Sequence, residues 1–260
     1  MAVLQAANLS IGLKKPPVIL VSNFALTLQP QEIVGLVGES GCGKTLTALA
    51  LMYLLPPAIK LQDNSRISLK GSFGYIPQDP LSALTPTMRI GKQINETTKD
   101  KKRTQKLLAE VGLPALDFYD AFPHQLSGGQ RQRALIAIAL GKNPQIIIAD
   151  EPTTALDATT QVQILRLLQN VGIATLFITH NLAIAASFCH RLLVMYAGAI
   201  VEQGPAAAIF TAPQHPYTQA LLKALPQIHQ DHEQPLTPLP GLPPASPPVK
   251  GCVFAARCQD

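Results

Sequence analysis

Apolar and polar positions alternate loosely over Val3–Ile11 and Val18–Leu28, both rich in β-formers, which predicts two antiparallel strands at the start of the chain. Ile33–Val37 is a short apolar strand that runs into glycine-rich sequence and then into an apolar helix over Lys44–Leu55. A polar middle carries the charged patch Lys99-Asp100-Lys101-Lys102-Arg103 and a helix around Thr104–Val111. A helix over Arg131–Leu140 and a buried strand over Gln145–Ala149 follow, then a helix over Gln161–Asn170 and strands over Thr175–Thr179 and Leu192–Tyr196. Strand–helix alternation of this kind predicts a parallel sheet covered by helices. Seven prolines between Pro235 and Pro248 predict an extended linker.

Composition narrows the class. The chain has 260 residues, 47% hydrophobic and 14% charged, which suits a folded domain rather than a disordered one. A net charge of +5 is compatible with nucleic acid, an anionic membrane surface or a polyphosphate, and does not choose among them. MAVLQAANLS lacks the pattern of a secretory signal, and the near-apolar run Leu46–Leu55 is far shorter than the ~20 residues of a membrane span. With Cys42, Cys189, Cys252 and Cys258 scattered, a disulfide framework is not expected. A cytoplasmic protein is therefore expected.

Gly38-Glu39-Ser40-Gly41-Cys42-Gly43-Lys44-Thr45 fits G-x-x-x-x-G-K-[ST], and it follows a predicted strand and opens a predicted helix. The glycines let successive backbone N–H groups converge on one anion, and the helix start adds its positive end. Lys44 is expected to neutralise the β- and γ-phosphates of ATP, and Thr45 to give a hydroxyl to Mg²⁺. Ile146-Ile147-Ile148-Ala149-Asp150-Glu151 delivers two carboxylates at the end of a buried strand, where parallel sheets bind ligands. Asp150 is expected to hold Mg²⁺, directly or through water, and Glu151 to act as general base on the attacking water. An ordinary glycine-rich turn and an ordinary acidic strand end are the bland alternatives, and each loses ground because the two occur together.

Leu126-Ser127-Gly128-Gly129-Gln130 makes a second anion-binding helix start, which one chain scarcely needs around one nucleotide. Two chains arranged head to tail can each cap the γ-phosphate held by the other. With this element the sequence resembles the ATP-binding cassette (ABC) family over about residues 3–225. The resemblance implies an α/β P-loop NTPase with a RecA-like parallel sheet core, an antiparallel β-subdomain and a helical signature subdomain. It also assigns Gln78 to the Q-loop, touching Mg²⁺ or water; Asp157, in Ala155-Leu156-Asp157, to the loop crossing the dimer interface; and His180 to the γ-phosphate. Boundaries are placed at 1–234 for the cassette, about 79–143 for its helical lobe and 235–260 for the tail bearing Cys252 and Cys258. The family's early adenine-stacking aromatic is missing from Leu9–Leu20, so Ile11 or Leu13 is expected to carry the base.

Asp79-Pro80-Leu81-Ser82-Ala83-Leu84-Thr85-Pro86, His215-Pro216-Tyr217-Thr218-Gln219-Ala220-Leu221-Leu222 and the ending Gly251-Cys252-Val253-Phe254-Ala255-Ala256-Arg257-Cys258 resemble the dipeptide, oligopeptide and nickel importer subfamily, closest to its nickel-importer ATPases. That resemblance implies nickel uptake, with peptide uptake as the alternative. It implies as partners a second, non-identical cassette, two permeases docking near Gln78–Pro86 and an extracytoplasmic binding protein, and places the chain peripherally on the cytoplasmic face of the inner membrane. A soluble ABC ATPase acting on DNA or ribosomes is disfavoured, since only 48 positions separate Gln78 from Leu126, too few for a coiled coil. A non-hydrolysing nucleotide sensor is disfavoured because Glu151 and His180 are both kept. His229 and His232 could share a metal, but a surface pair is usually solvated; Cys252 and Cys258 supply two soft ligands where zinc or an iron–sulfur cluster wants about four.

Overall fold

The computed structural model describes residues 2–225, 241–242, 244, 247–248 and 251–258. Most of the Pro235–Pro248 stretch, and both His229 and His232, lie outside the described residues. The chain divides into two compact units. The phosphate-loop unit gathers Leu4–Leu28, Ile33–Ser68 and the described residues from Phe177 onward; the helical unit is built mainly from Leu69–Leu176.

The phosphate-loop unit starts with β1 (Leu4–Leu13) and β2 (Ile19–Leu28), paired antiparallel from Leu4↔Leu28 to Gly12↔Ile19. Their apolar alternation buries Leu4, Ala6, Leu9 and Ile11 against Val21, Phe24, Leu26 and Leu28. The register is irregular around Asn8 and Asn23, both at positive φ, a conformation that Asn tolerates better than most side chains. β3 (Ile33–Val37) is buried at every position, as a parallel strand covered on both faces must be.

The helix after it, α1 (Lys44–Leu51), ends before the predicted Leu55. Tyr53 turns left-handed at φ 58 and Leu54 N–H donates back to the Leu49 carbonyl, closing the helix ahead of Pro56-Pro57. The apolar run continues past the helix end into Tyr53 and Leu54, which are not core residues but exposed, at 63% and 56%. β4 (Ile59–Leu61) and β5 (Arg66–Leu69) then pair with β1.

In the helical unit β6 (Phe73–Ile76) and β7 (Ile146–Asp150) pair in parallel, with Ile76 beside Ala149. Between them lie α2 (Pro80–Ala83), α3 (Ile90–Thr98), α4 (Lys101–Glu110), α5 (Ala115–Phe118) and α6 (Gly128–Leu140). The predicted charged patch is the exposed first turn of α4, where Asp100 caps the helix by accepting from Lys102 N–H at 2.8 Å. That carboxylate offsets lysines placed at the helix's positive end. α6 presses straight onto β6: a Cβ on Gly74 would meet the Ala139 carbonyl oxygen at 2.5 Å. α7 (Ala158–Val171) follows and leads into β8 (Ala174–Thr179), buried along its whole length. Residues 174–176 of β8 belong to this unit and Phe177–Thr179 to the other.

The phosphate-loop unit resumes with α8 (Leu182–Phe188), β9 (Arg191–Tyr196), β10 (Ala199–Pro205), α9 (Ala206–Thr211) and α10 (Pro216–Lys223). β9 runs parallel to β3, while β10 pairs antiparallel to β9 as an added edge strand that the sequence pattern did not distinguish from loop. Among the described residues no helix is long and apolar enough to cross a membrane.

His215 caps α10: its Nδ1 accepts from Tyr217 N–H at 3.1 Å, which requires a neutral ring. Burial pushes the His215 pKa below its ordinary value, with Glu202 opposing. The unfolded chain therefore binds the proton more readily. The cap's stability is present above the unfolded value of about 6.5 and is lost as pH falls through the lower folded value. His215→Asn keeps a capping acceptor without titrating, so its melting temperature should fall less than that of the parent on acidification from about pH 7 to about pH 5.5. Equal losses in parallel thermal melts would refute this.

Candidate ATP-binding and hydrolysis site

β3 ends at the phosphate loop, and the loop's shape is forced by contact as much as by backbone freedom. A Cβ on Gly38 would lie 2.1 Å from the Met195 carbonyl oxygen, so only glycine lets the loop leave the sheet there. Gly43, at φ 106, is the N-cap of α1, and a Cβ on it would approach Val21 to 2.9 Å. Lys44 is 5% exposed, and its Nζ donates to the carbonyls of Gly38 and Glu39, each at 2.8 Å. The ammonium is thus folded over the mouth of its own loop, held by dipoles. Ser40 and Thr45 are exposed, and the Cys42 thiol is pushed up by burial.

The same unit carries His180, exposed at the end of β8. Its backbone is fixed in a tight connection: Thr179 Oγ1 accepts from Asn181 N–H at 3.1 Å, and Asn181 Oδ1 caps α8 by accepting from Ile184 N–H at 3.1 Å. Ile11, expected to support adenine, is fully buried in β1 and offers a base no surface. Leu13, half-buried at the end of that strand, is the aliphatic side chain still accessible.

The helical unit holds the carboxylates. Asp150 closes β7 at 1% exposure. The neighbouring Tyr75 phenol is pushed up to about 12, by burial first and then by the Asp150 charge. Glu151 follows at φ 47, a left-handed conformation that costs a non-glycine residue on the order of 1 kcal/mol. Its Oε2 accepts from Thr154 Oγ1 at 2.9 Å and from Gln78 Nε2 at 3.4 Å, so Gln78 and Glu151, 73 positions apart, are brought together. Mg²⁺ is octahedral and takes only a few oxygen ligands from protein, leaving its other positions to phosphate and water. Within this unit the Asp150 carboxylate and the Gln78 amide oxygen fit that chemistry.

Ser127 caps α6 in a reciprocal box: its Oγ accepts from Gln130 N–H at 3.3 Å, and Gln130 Oε1 accepts from Ser127 N–H at 2.8 Å. A Cβ on Gly129 would meet Thr160 Cγ2 at 2.4 Å, so this glycine admits α7 against the start of α6. An open cleft of about 420 Å³ faces this helix start, lined by Ser127, Gly129, Gln130, Arg133 and Thr160 among others. Asp157 caps α7 by accepting from Thr160 N–H at 3.0 Å, which holds its carboxyl below the ordinary value. After β6, Asp79 caps α2, accepting from Leu81 N–H at 2.9 Å and Ser82 N–H at 3.3 Å, and the turn presents Leu81 at 60% exposure.

One feature of the loop's surroundings was not legible. Phe254, 2% exposed, packs on Tyr196, Tyr217 and His215, with centroids 5.2, 5.4 and 5.9 Å away. Arg257, on the short 3₁₀ turn (Ala255–Arg257) that Phe254 precedes as N-cap, reaches Glu39 of the phosphate loop at 3.2 Å. No local pattern links positions 218 apart. Cys252 is exposed with its Sγ 3.8 Å from His215 Nε2, and Cys258 is half-buried. Among the described residues no group of three or more His, Cys, Asp or Glu side chains could hold a metal ion.

Comparison with known proteins agrees with this architecture. Residues 21–154 match the ABC transporter family, and residues 201–260 match the family described as oligopeptide/dipeptide transporter, C-terminal region. The dipeptide transport ATP-binding protein DppD of Escherichia coli (strain K12) is 43% identical, over 99% of this chain and 89% of that protein. The oligopeptide transport ATP-binding protein OppD of Bacillus subtilis (strain 168) is 42% identical, over 88% of this chain and 73% of that protein. Among solved structures, cbiO1 of Clostridium perfringens superposes with a TM-score of 0.72 at 23% identity, covering 81% of this chain and 91% of that one. The dimeric ATP-binding cassette MJ0796 bound to ADP and Pi gives 0.67 at 24%, covering 78% and 98%; both likenesses bear on the fold. The chain belongs to the ABC transporter family, as an ABC-type ATPase with the P-loop NTPase fold of an ATP-binding cassette.

Proposed function

We propose that this chain is the ATP-hydrolysing subunit of an importer of dipeptides or oligopeptides, acting peripherally at the cytoplasmic face of the membrane. The match of residues 201–260 to the C-terminal region of oligopeptide/dipeptide transporters carries the cargo assignment. The likeness to DppD and OppD supports it. Nickel, the expectation from the sequence resemblance, gives way to peptide on these grounds. The cassette's own residues do not choose between them, because an ATPase subunit of this kind does not touch the cargo.

Within that role the backbone N–H groups of Gly38–Thr45 and the Lys44 ammonium bind the triphosphate. Asp150, Gln78 and Thr45 would hold Mg²⁺, which when bound draws charge from the β- and γ-phosphates. Glu151, oriented by Thr154 and Gln78, takes the proton of the attacking water, and His180 contacts the γ-phosphate. Ser127, Gly128, Gly129 and Gln130 cap the nucleotide of a second, non-identical cassette, and Asp157 fixes the helix that borders that interface. Two permease subunits dock on the exposed turn around Leu81, between Gln78 and Pro86, and an extracytoplasmic binding protein delivers the cargo. No nucleic acid takes part.

The test is ATP hydrolysis by the complex reconstituted with its permeases, partner cassette and binding protein. Stimulation by dipeptides or oligopeptides and not by Ni²⁺ is the expected result. Stimulation by Ni²⁺ alone would return the chain to the nickel branch and overturn the peptide assignment.

A further inference from the structure

The phosphate loop is held from outside by a segment that lies more than 200 positions downstream. Glu39, the loop's second residue, is engaged at three points. Its N–H donates to the Tyr217 hydroxyl at 3.0 Å, its carbonyl accepts from Lys44 Nζ at 2.8 Å, and its carboxylate receives Arg257 Nη1 at 3.2 and 3.5 Å. Arg257 is the more deeply placed partner, with its side chain 6% exposed against 26% for Glu39. The same Nη1 also donates to the Tyr196 hydroxyl at 3.2 Å. Phe254 locks the turn that carries Arg257 into the cluster of Tyr196, Tyr217 and His215, so the guanidinium is placed by packing.

A carboxylate in a loop built to receive a polyanion is an electrostatic liability. Unneutralised, Glu39 would repel the triphosphate and would compete for the Lys44 ammonium, whose two carbonyl partners lie on Gly38 and Glu39 itself. A half-exposed lysine would be screened by water; a nearly buried guanidinium is screened far less, and here its Nη1 alone reaches both carboxylate oxygens.

We propose that Arg257 is a positioning residue for ATP binding: it neutralises Glu39 and fixes the entry of the phosphate loop, so that the C-terminal turn sets the affinity of the loop for the triphosphate. The inference rests on the reading of Gly38–Thr45 as the ATP site. It concerns nucleotide affinity and leaves the chemical step to other residues.

The experiment measures the Kd of a fluorescent ATP analogue and the KM and kcat for ATP in the chain assembled with its transporter partners. Wild-type binding and hydrolysis are the control for the ATP-site reading, which fails separately if neither is seen. Arg257→Ala should raise Kd and KM together by about tenfold, with a much smaller change in kcat; the loss stays below that of a fully buried pair because the Glu39 side chain is 26% exposed and partly solvated. Arg257→Lys should recover part of the loss. The double variant Glu39→Gln/Arg257→Ala should bind ATP more tightly than Arg257→Ala alone, because the unpaired carboxylate is gone. An Arg257→Ala protein that melts earlier but keeps wild-type Kd and KM would reduce the residue to a structural pin and overturn the proposal. A double variant no tighter than the single one would overturn the charge-neutralisation argument.

Discussion

Replacing Glu151 by Gln should lower ATP turnover by about 10²–10⁴-fold while nucleotide binding persists. Glutamine keeps the size of the side chain and one carbonyl oxygen, so Thr154 Oγ1 and Gln78 Nε2 retain an acceptor. What disappears is the basic, negatively charged oxygen. The backbone reinforces the assignment: Glu151 sits at φ 47 directly after the fully buried β7, and Thr154 N–H returns to its carbonyl at 3.1 Å. A chain that only needed to end a strand would place Gly or Asn in that conformation. Single-turnover hydrolysis of ATP, beside titration with a fluorescent nucleotide, separates chemistry from binding. A variant that turned over at the wild-type rate would remove Glu151 from the role of general base.

The site was legible where geometry and chemistry are written in adjacent residues. Gly38–Thr45 reads as a phosphate loop because one short run supplies both the turn and the charge. Ile146–Glu151 reads as a buried strand delivering carboxylates because four apolar or small residues precede a charge without interruption. The α/β alternation and the antiparallel start were legible for the same reason, since β1, β2, β3 and β8 each carry their burial pattern in their own composition.

What escaped depends on partners far away in sequence. Ile11 looks like an available aliphatic surface, but its strand lies between β2 and β4 in the sheet and its side chain is fully buried in the folded unit. Gly129 looks like a phosphate-binding glycine, and it also admits Thr160 of α7. α1 looked longer because Tyr53 and Leu54 are apolar, although they lie beyond the helix and are exposed. The Arg257–Glu39 pair has no local signal at all. Cargo is a different matter: it is read by other subunits, so resemblance to whole proteins carries it better than any motif in this chain.

Lys44→Ala should weaken ATP binding by about 10–100-fold, the range of one to two charge-assisted hydrogen bonds, and hydrolysis at limiting ATP should fall at least as far. The ammonium is nearly buried, at 5% exposure, and its acceptors are the Gly38 and Glu39 carbonyls. Two dipoles hold it in place and leave its charge to be matched by an incoming anion. Alanine would remove that charge and leave both carbonyls without their donor, so the loop would lose its electrostatic purpose and part of its internal bracing. Lys44→Arg decides between charge and fit. The guanidinium keeps the charge, but its planar fork is wider than an ammonium that reaches two carbonyls of adjacent residues at 2.8 Å. If position matters as the geometry says, the arginine variant should bind ATP nearly as poorly as the alanine one. Near-wild-type affinity in Lys44→Arg, measured by the same fluorescent titration, would mean that charge alone suffices and that the loop's internal hydrogen bonds contribute nothing to recognition.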